Sequence, residues 1–197
     1  MSHQPSGMRL YSARNERLYL NSHELQRFVA AAERMPTPIR RFCLTLAYTG
    51  VRISEARYLR GEDLQFDARI LSERSLKKRD KSEVREVPMP QALVSEFCFE
   101  LREPDHWLWP VGMGPVPRIT AYRWVKDVMR RAEISGPKAC PKGLRHGYAA
   151  RATMTGVPAH MLQKWMGHAS MKTTAIYATL LGPDQLFVSD WMWDGFE

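Results

Sequence analysis

The side chains of this chain best suited to chemistry are cationic. Arg52, Lys77, Lys78, Lys142 and Arg145 stand out, together with two histidines, His146 and His168. The sequence has no Walker-type glycine loop, no His-Glu-x-x-His helix, no paired Cys/His set and no Asp/Glu cluster spaced to hold two magnesium ions. Fixed cations without a carboxylate cluster suit metal-free stabilisation of a phosphoryl-transfer transition state. Forked guanidinium groups then meet the charge that spreads over the non-bridging oxygens. The competing reading in a basic chain is an ordinary solvated face.

The chain of 197 residues is long enough for one domain with a sizeable core, or at most two small ones. A hydrophobic fraction of 44% and an aromatic fraction of 10% exclude wholesale disorder. Lys plus Arg number 29 against 21 Asp plus Glu, a net charge of +8, and the pI is about 9.6. That balance favours a polyanion, either nucleic acid or an anionic membrane surface. No apolar run reaches membrane-spanning length, and residues 1–17 lack the apolar middle of a signal peptide. The membrane option therefore rests on charge alone, and nucleic acid is preferred. Cys43, Cys98 and Cys140 are odd in number and lack metal-ligand spacing, so they read as reduced, buried thiols of a cytosolic protein.

The elements that must position these groups are mainly helical. Residues 1–20 read as a polar, weakly structured arm. Asn21 and Glu24 have the spacing of a capping box opening a first helix, and Thr37-Pro38 caps a second that Gly50 ends. A short helix then starts with Arg52 projecting at its mouth. From Leu64 the pattern alternates, predicting short antiparallel strands around the basic turn Lys77-Lys78-Arg79. Helical spacing returns over residues 91–102. A Pro/Gly-rich connection follows, and then a basic amphipathic helix capped by Thr120. The last third predicts three helices: one carrying Leu144 to Thr153, one opened by Pro158 and ended by Gly167, and one capped by Ser170 that carries Tyr177.

Five motifs fall in register along this framework. They are Thr49-Gly50-Val51-Arg52-Ile53-Ser54-Glu55; Ser75-Leu76-Lys77 before Arg85-Glu86-Val87-Pro88; Lys142-Gly143-Leu144-Arg145-His146; Met166-Gly167-His168; and Thr173-Thr174-Ala175-Ile176-Tyr177. In order and spacing they resemble the active site of the tyrosine recombinases, the phage integrase family. The resemblance implies a mainly α catalytic domain with a small antiparallel β-sheet, over residues 21–183, and a tail at 184–197. It implies Tyr177 as nucleophile, Arg52 and Arg145 as clamps on the non-bridging oxygens, Lys77 as general acid and His168 as a phosphate hydrogen-bonder. Lys77 takes the acid role in preference to Lys78, since adjacent strand residues face opposite ways. Lys78, Arg79 and Lys172 are then candidate DNA contacts. One position departs from the pattern: Lys142 stands where the family usually has histidine. That weakens the general-base assignment there, and leaves His146 as a substitute whose place in the motif suggests a supporting role.

The expected activity is site-specific DNA recombination through a 3′-phosphotyrosine intermediate, giving integration, excision or inversion without a cofactor. The expected partner is double-stranded DNA, with a homo-tetramer on DNA and a monomer or dimer free of it, in the cytoplasm and with no membrane association. About 20 residues precede the first helix, so the chain resembles short members of the family. Affinity would then come from tetramer contacts or from an accessory DNA-binding protein. The tail QLFVSDWMW would dock on a neighbouring subunit or cover its own core. Two other function classes stay open on the sequence: a non-catalytic DNA-binding regulator, and a strand-relaxing enzyme of the type IB topoisomerase kind.

Overall fold

The computed structural model describes residues 9–74, 84–97 and 104–179. The chain order is α1 (Ser22–Glu33), α2 (Thr37–Thr49), α3 (Ile53–Ala56), β1 (Leu64–Gln65), β2 (Ile70–Arg74), β3 (Val84–Pro88), α4 (Gln91–Ser95), β4 (Pro110–Val111), β5 (Gly114–Pro115), α5 (Arg118–Arg131), α6 (Pro141–Met154), α7 (Ala159–Met166) and α8 (Met171–Ala175). Short 3-10 turns at Gly61–Asp63 and Ile176–Thr179 complete the described elements. The mainly helical architecture with a small antiparallel sheet is as the sequence implies.

Local chemistry sets the helix boundaries. The Asn21 carboxamide accepts from the Glu24 N–H at 2.8 Å while the Glu24 carboxylate accepts from the Asn21 N–H at 3.0 Å. This reciprocal cap contributes about 1 kcal/mol. Helix α2 ends at Gly50, which takes the left-handed conformation at φ 63°. A side chain there would also collide with Tyr148, whose ring a Cβ would overlap. Thr37 and Thr120 fall inside their helices: Pro36 and Pro117 are the actual caps, because a proline's fixed φ pre-sets the entry turn.

Helix α1 packs on α2, α5 and α6, and α2 packs on α5 and α6. Between them lies the larger core, with Phe28, Phe42, Leu44, Met129 and Leu144 all buried. Trp109 seals it, meeting Phe42 edge-to-face at 5.1 Å and donating its indole N–H to the Ala56 carbonyl at 2.8 Å. The Pro/Gly-rich connection is therefore partly ordered: it carries Trp109 and the ribbon β4–β5. The main sheet runs β1-β2-β3, antiparallel, with Leu71 opposite Val87 and Glu73 opposite Arg85.

A second, smaller cluster joins Leu10, Tyr19, Ala149, Leu162, Met166 and Tyr177. Over residues 9–20, the described part of the arm expected at 1–20, it replaces loose chain with packed structure. Tyr11 and Arg17 form a β-bridge, Leu10, Tyr19 and Leu20 are buried, and the Leu20 N–H donates to the Gly143 carbonyl at 3.2 Å. Apolar residues scattered among polar ones at 10, 19 and 20 are enough to tie this segment to α6. Cys43 is buried as expected, whereas Cys140 is half-buried at the cap of α6. Cys98 and the tail from residue 180 lie outside the described residues.

Candidate active site

Arg52, Arg145, His168 and Tyr177, drawn from separate stretches of the chain, meet around a common centre. Arg52 sits at the cap of α3, where the Glu55 carboxylate accepts from its backbone N–H at 3.0 Å and from its Nη1 at 2.6 Å. Its Nη2 donates to the Gly167 carbonyl at 3.3 Å. Arg145, in α6, is buried; it donates through Nη1 to the Gly50 carbonyl at 2.5 Å and through Nη2 to the Met166 carbonyl. Two arginines from distant parts of the chain are thus held by the consecutive carbonyls of residues 166 and 167, immediately before His168.

His168 is buried, with Nδ1 3.0 Å from the Thr174 hydroxyl and Nε2 without a hydrogen-bond partner among the described residues. Burial, then the positive charges of Arg145 and Arg52, push its pKa down to about 3, so the ring is neutral at physiological pH. Tyr177 belongs to the 3-10 turn after α8, where the sequence predicts a continuing helix. It is 1% exposed, and its hydroxyl lies 2.7 Å from His146 Nδ1. Burial raises the Tyr177 phenol well above the ordinary range, with Arg145 acting against that rise. His146 is held neutral as well: burial, Lys142 and Arg145 lower its pKa to about 4.

Lys142 lies one turn before His146 on α6, and Lys172 is exposed in the first turn of α8. Lys77, Lys78 and Arg79 lie outside the described residues.

One set of functional neighbours goes beyond the roles that the motifs imply. Arg85, buried on β3, donates to Glu55 at 3.0 Å. Its Nη2 also lies 2.7 Å from Glu73 on β2, an ion pair whose angle does not make a hydrogen bond. Above it, Gly167 takes φ 57°, and a Cβ there would overlap Arg85 Nη1. Arg85 therefore links the Arg52 helix, the β2–β3 pair and the turn before His168. The burial alternation of β3, with Arg85 and Val87 inward, is the signal that could have found it. Burial pushes the Glu73 carboxyl up to about 7, with Arg85 opposing and the Glu55 charge adding to the rise. Burial also works to raise Glu55, but Arg85 and Arg52 outweigh it and hold that carboxyl below its usual range.

No described helix is long and apolar enough to cross a membrane. A tyrosine recombinase of Thermosipho africanus is 33% identical over 134 residues, covering 67% of this chain and 46% of that protein. The crystal structure of XerA recombinase matches with a TM-score of 0.74 at 29% identity, over 88% of this chain and 64% of that one. XerH site-specific recombinase, solved bound to difH substrate, shares the fold with a TM-score of 0.69 at 18% identity, over 93% of this chain and 60% of that one. The chain spans about half the length of the curated relatives it matches. The family model of the phage integrases matches residues 18–181, from just before the first helix to just past Tyr177, and the chain belongs to that family.

Proposed function

We propose that this chain carries the chemical step of a site-specific DNA recombinase, cutting and rejoining strands of double-stranded DNA in the cytoplasm. The observation that carries this reading is the anchoring of Arg52 and Arg145 on the adjacent carbonyls of Gly167 and Met166, beside His168. Two forked cations fixed on one turn form a clamp for the non-bridging oxygens of a phosphodiester. Structural relatives solved bound to difH substrate and in complex with transposon right end DNA support DNA as the partner.

Tyr177 Oη attacks phosphorus, a P–Oη bond forms and the P–O5′ bond breaks. Lys77 gives a proton to the departing 5′ oxygen. The 3′-phosphotyrosine conserves the bond energy, so a second attack by a 5′-hydroxyl reseals a strand without a nucleotide cofactor. With the Thr174 hydroxyl donating to Nδ1, His168 carries its proton on Nε2 and offers it to a phosphate oxygen. Lys78, Arg79 and Lys172 add backbone contacts to the DNA. Residues 184–197 dock on a neighbouring subunit of a tetramer formed on DNA, and an accessory protein adds DNA affinity.

Covalent trapping tests the reading. Wild-type protein and Tyr177→Phe are mixed with nicked suicide duplexes from the flanks of its own gene and run on denaturing gels. A shifted band formed by wild type and lost in the variant supports a tyrosine transesterase. Firm non-covalent binding to the same duplexes without any shifted band would sink it in favour of a DNA-binding regulator. Relaxation of a supercoiled plasmid that lacks any such site would point instead to a topoisomerase-like enzyme.

A further inference from the structure

We infer that His146 is the general base of the cleavage step, taking the phenolic proton of Tyr177 on Nδ1. The inference rests on the transesterase reading above and assigns it a residue. Three observations carry it. First, His146 Nδ1 lies 2.7 Å from Tyr177 Oη, so a ring nitrogen touches the reacting atom itself. Second, both groups are buried, at 2% and 1% exposure, so water has little access to remove the proton in their place. Third, the neighbouring candidates are unfit. Lys142 is exposed at the start of α6, and the side-chain contact of the Tyr177 hydroxyl is with His146. His168 has its Nδ1 engaged with Thr174 and belongs to the phosphate side of the site.

The proton balance closes. The Tyr177 O–H bond breaks as P–Oη forms, and the proton moves to His146 Nδ1. When a 5′-hydroxyl reseals the strand, P–O5′ forms as its proton returns to Lys77, P–Oη breaks, and His146 returns the other proton to the phenolate.

The charges around His146 couple this transfer to substrate arrival. Lys142 and Arg145 face it from its own helix, Tyr177 from the 3-10 turn, and His168 lies close enough to feel its charge. The two cations keep the ring neutral, and so able to accept a proton, in the free protein. A phosphodiester clamped by Arg145 offsets part of that positive charge. An imidazolium beside it is then stabilised only while DNA is in place.

The test measures the single-turnover rate of covalent adduct formation across pH for wild type, His146→Asn and His146→Ala. Asparagine keeps a polar group near the Nδ1 position but is not a base. Loss of the base slows adduct formation by about 10²- to 10⁴-fold. The residual rate then climbs with pH as hydroxide substitutes. Two rescues separate base chemistry from mere positioning. Replacing Tyr177 with 3,5-difluorotyrosine, a more acidic phenol, restores much of the His146→Asn rate. Free imidazole restores His146→Ala in proportion to its unprotonated form. His146→Asn reacting as fast as wild type overturns the inference, and so does a slow variant that neither rescue restores. If His146→Asn does not fold, the imidazole rescue of His146→Ala decides alone. Absence of any adduct from wild-type protein, with DNA bound, defeats the transesterase reading itself and is recognisable as such, because it precedes any comparison with variants.

Discussion

Arg52 and Arg145 are held by neighbouring carbonyls, yet their electrical settings differ. Arg52 is partly exposed and ion-paired with Glu55 at 2.6 Å. Behind it, Glu55 is shared with Arg85, and Arg85 with Glu73. Arg145 is buried against the Gly50 and Met166 carbonyls, and no carboxylate among the described residues forms an ion pair with it. Burial, and then the positive charges of Arg52 and Arg85, lower its pKa to about 9. A buried guanidinium satisfied only by carbonyl dipoles has its hydrogen bonds but lacks a counter-ion. Arg52 thus holds a compensated position, while Arg145 carries its charge without an ion-paired carboxylate among the described residues; under the function proposed above, that is the charge a phosphate meets.

The sharpest way to break this contrast is to replace each arginine with lysine. A single ammonium cannot span two carbonyls and a phosphate. Arg145→Lys should slow single-turnover adduct formation by about 10³-fold, and Arg52→Lys by about 10²-fold. Equal losses, or a larger loss at Arg52, would erase the distinction.

The compensated side makes its own prediction through Glu73. Its folded-state pKa is raised from 4.5 to about 7, so the native state binds this proton more tightly than the unfolded chain does. The stability linked to it is fully present below pH 4.5 and is lost as pH rises through about 7. By this linkage Glu73 costs up to about 3 kcal/mol at alkaline pH. Glu55, held below its usual range, acts in the opposite sense at lower pH: its contribution is present above the ordinary glutamate range and fades as pH falls through the lowered value. Glu73→Gln should therefore stabilise the protein at pH 8 and flatten its urea-midpoint profile between pH 5 and 8. An unchanged profile would mean that the Arg85 pair keeps Glu73 ionised throughout.

Gly167 joins the two sides, since its carbonyl holds Arg52 and the preceding one holds Arg145. Alanine there meets a left-handed backbone and the buried tip of Arg85. We expect Gly167→Ala to cost about 2 kcal/mol of stability, and Gly156→Ala, also left-handed but with open space around it, to cost less. Equal costs in denaturant titrations would remove Arg85 from the explanation.

Much of this site is legible in the sequence, for physical reasons. Helix ends are written in local chemistry, so the Asn21–Glu24 box and the Gly50 and Gly167 stops can be read one turn at a time. The motif register brings Arg52, Arg145, His168 and Tyr177 together in advance. Contacts between distant segments leave no such local trace. Arg85 at least shares a strand face with Val87, but Glu73 looks like an ordinary solvent-facing strand residue until the register places it opposite Arg85 on the buried face. His146 and Tyr177 are 31 residues apart. Motif position suggests only support for His146, whereas α6 and the 3-10 turn bring its ring onto the hydroxyl. The motif register singles out Tyr177, but not its burial inside the smaller cluster.

The smallest expected effect tests the Arg145 side at long range. Lys142 lies one turn from His146 and, after burial, is the largest influence holding that imidazole's pKa down. It is also exposed, so solvent screens its charge. Lys142→Gln should raise the His146 pKa in the free protein by less than about one unit, read as the pH dependence of its ring resonances by NMR. The shift should shrink in high salt. Arg145 is buried, so its share of the same depression should persist there. A Lys142→Gln shift that does not respond to salt would mean that the cation reaches His146 through the protein interior. Lys142 would then belong with Arg145 among the charges set aside for phosphate, and the contrast would lie between whole faces of α6 rather than between two arginines.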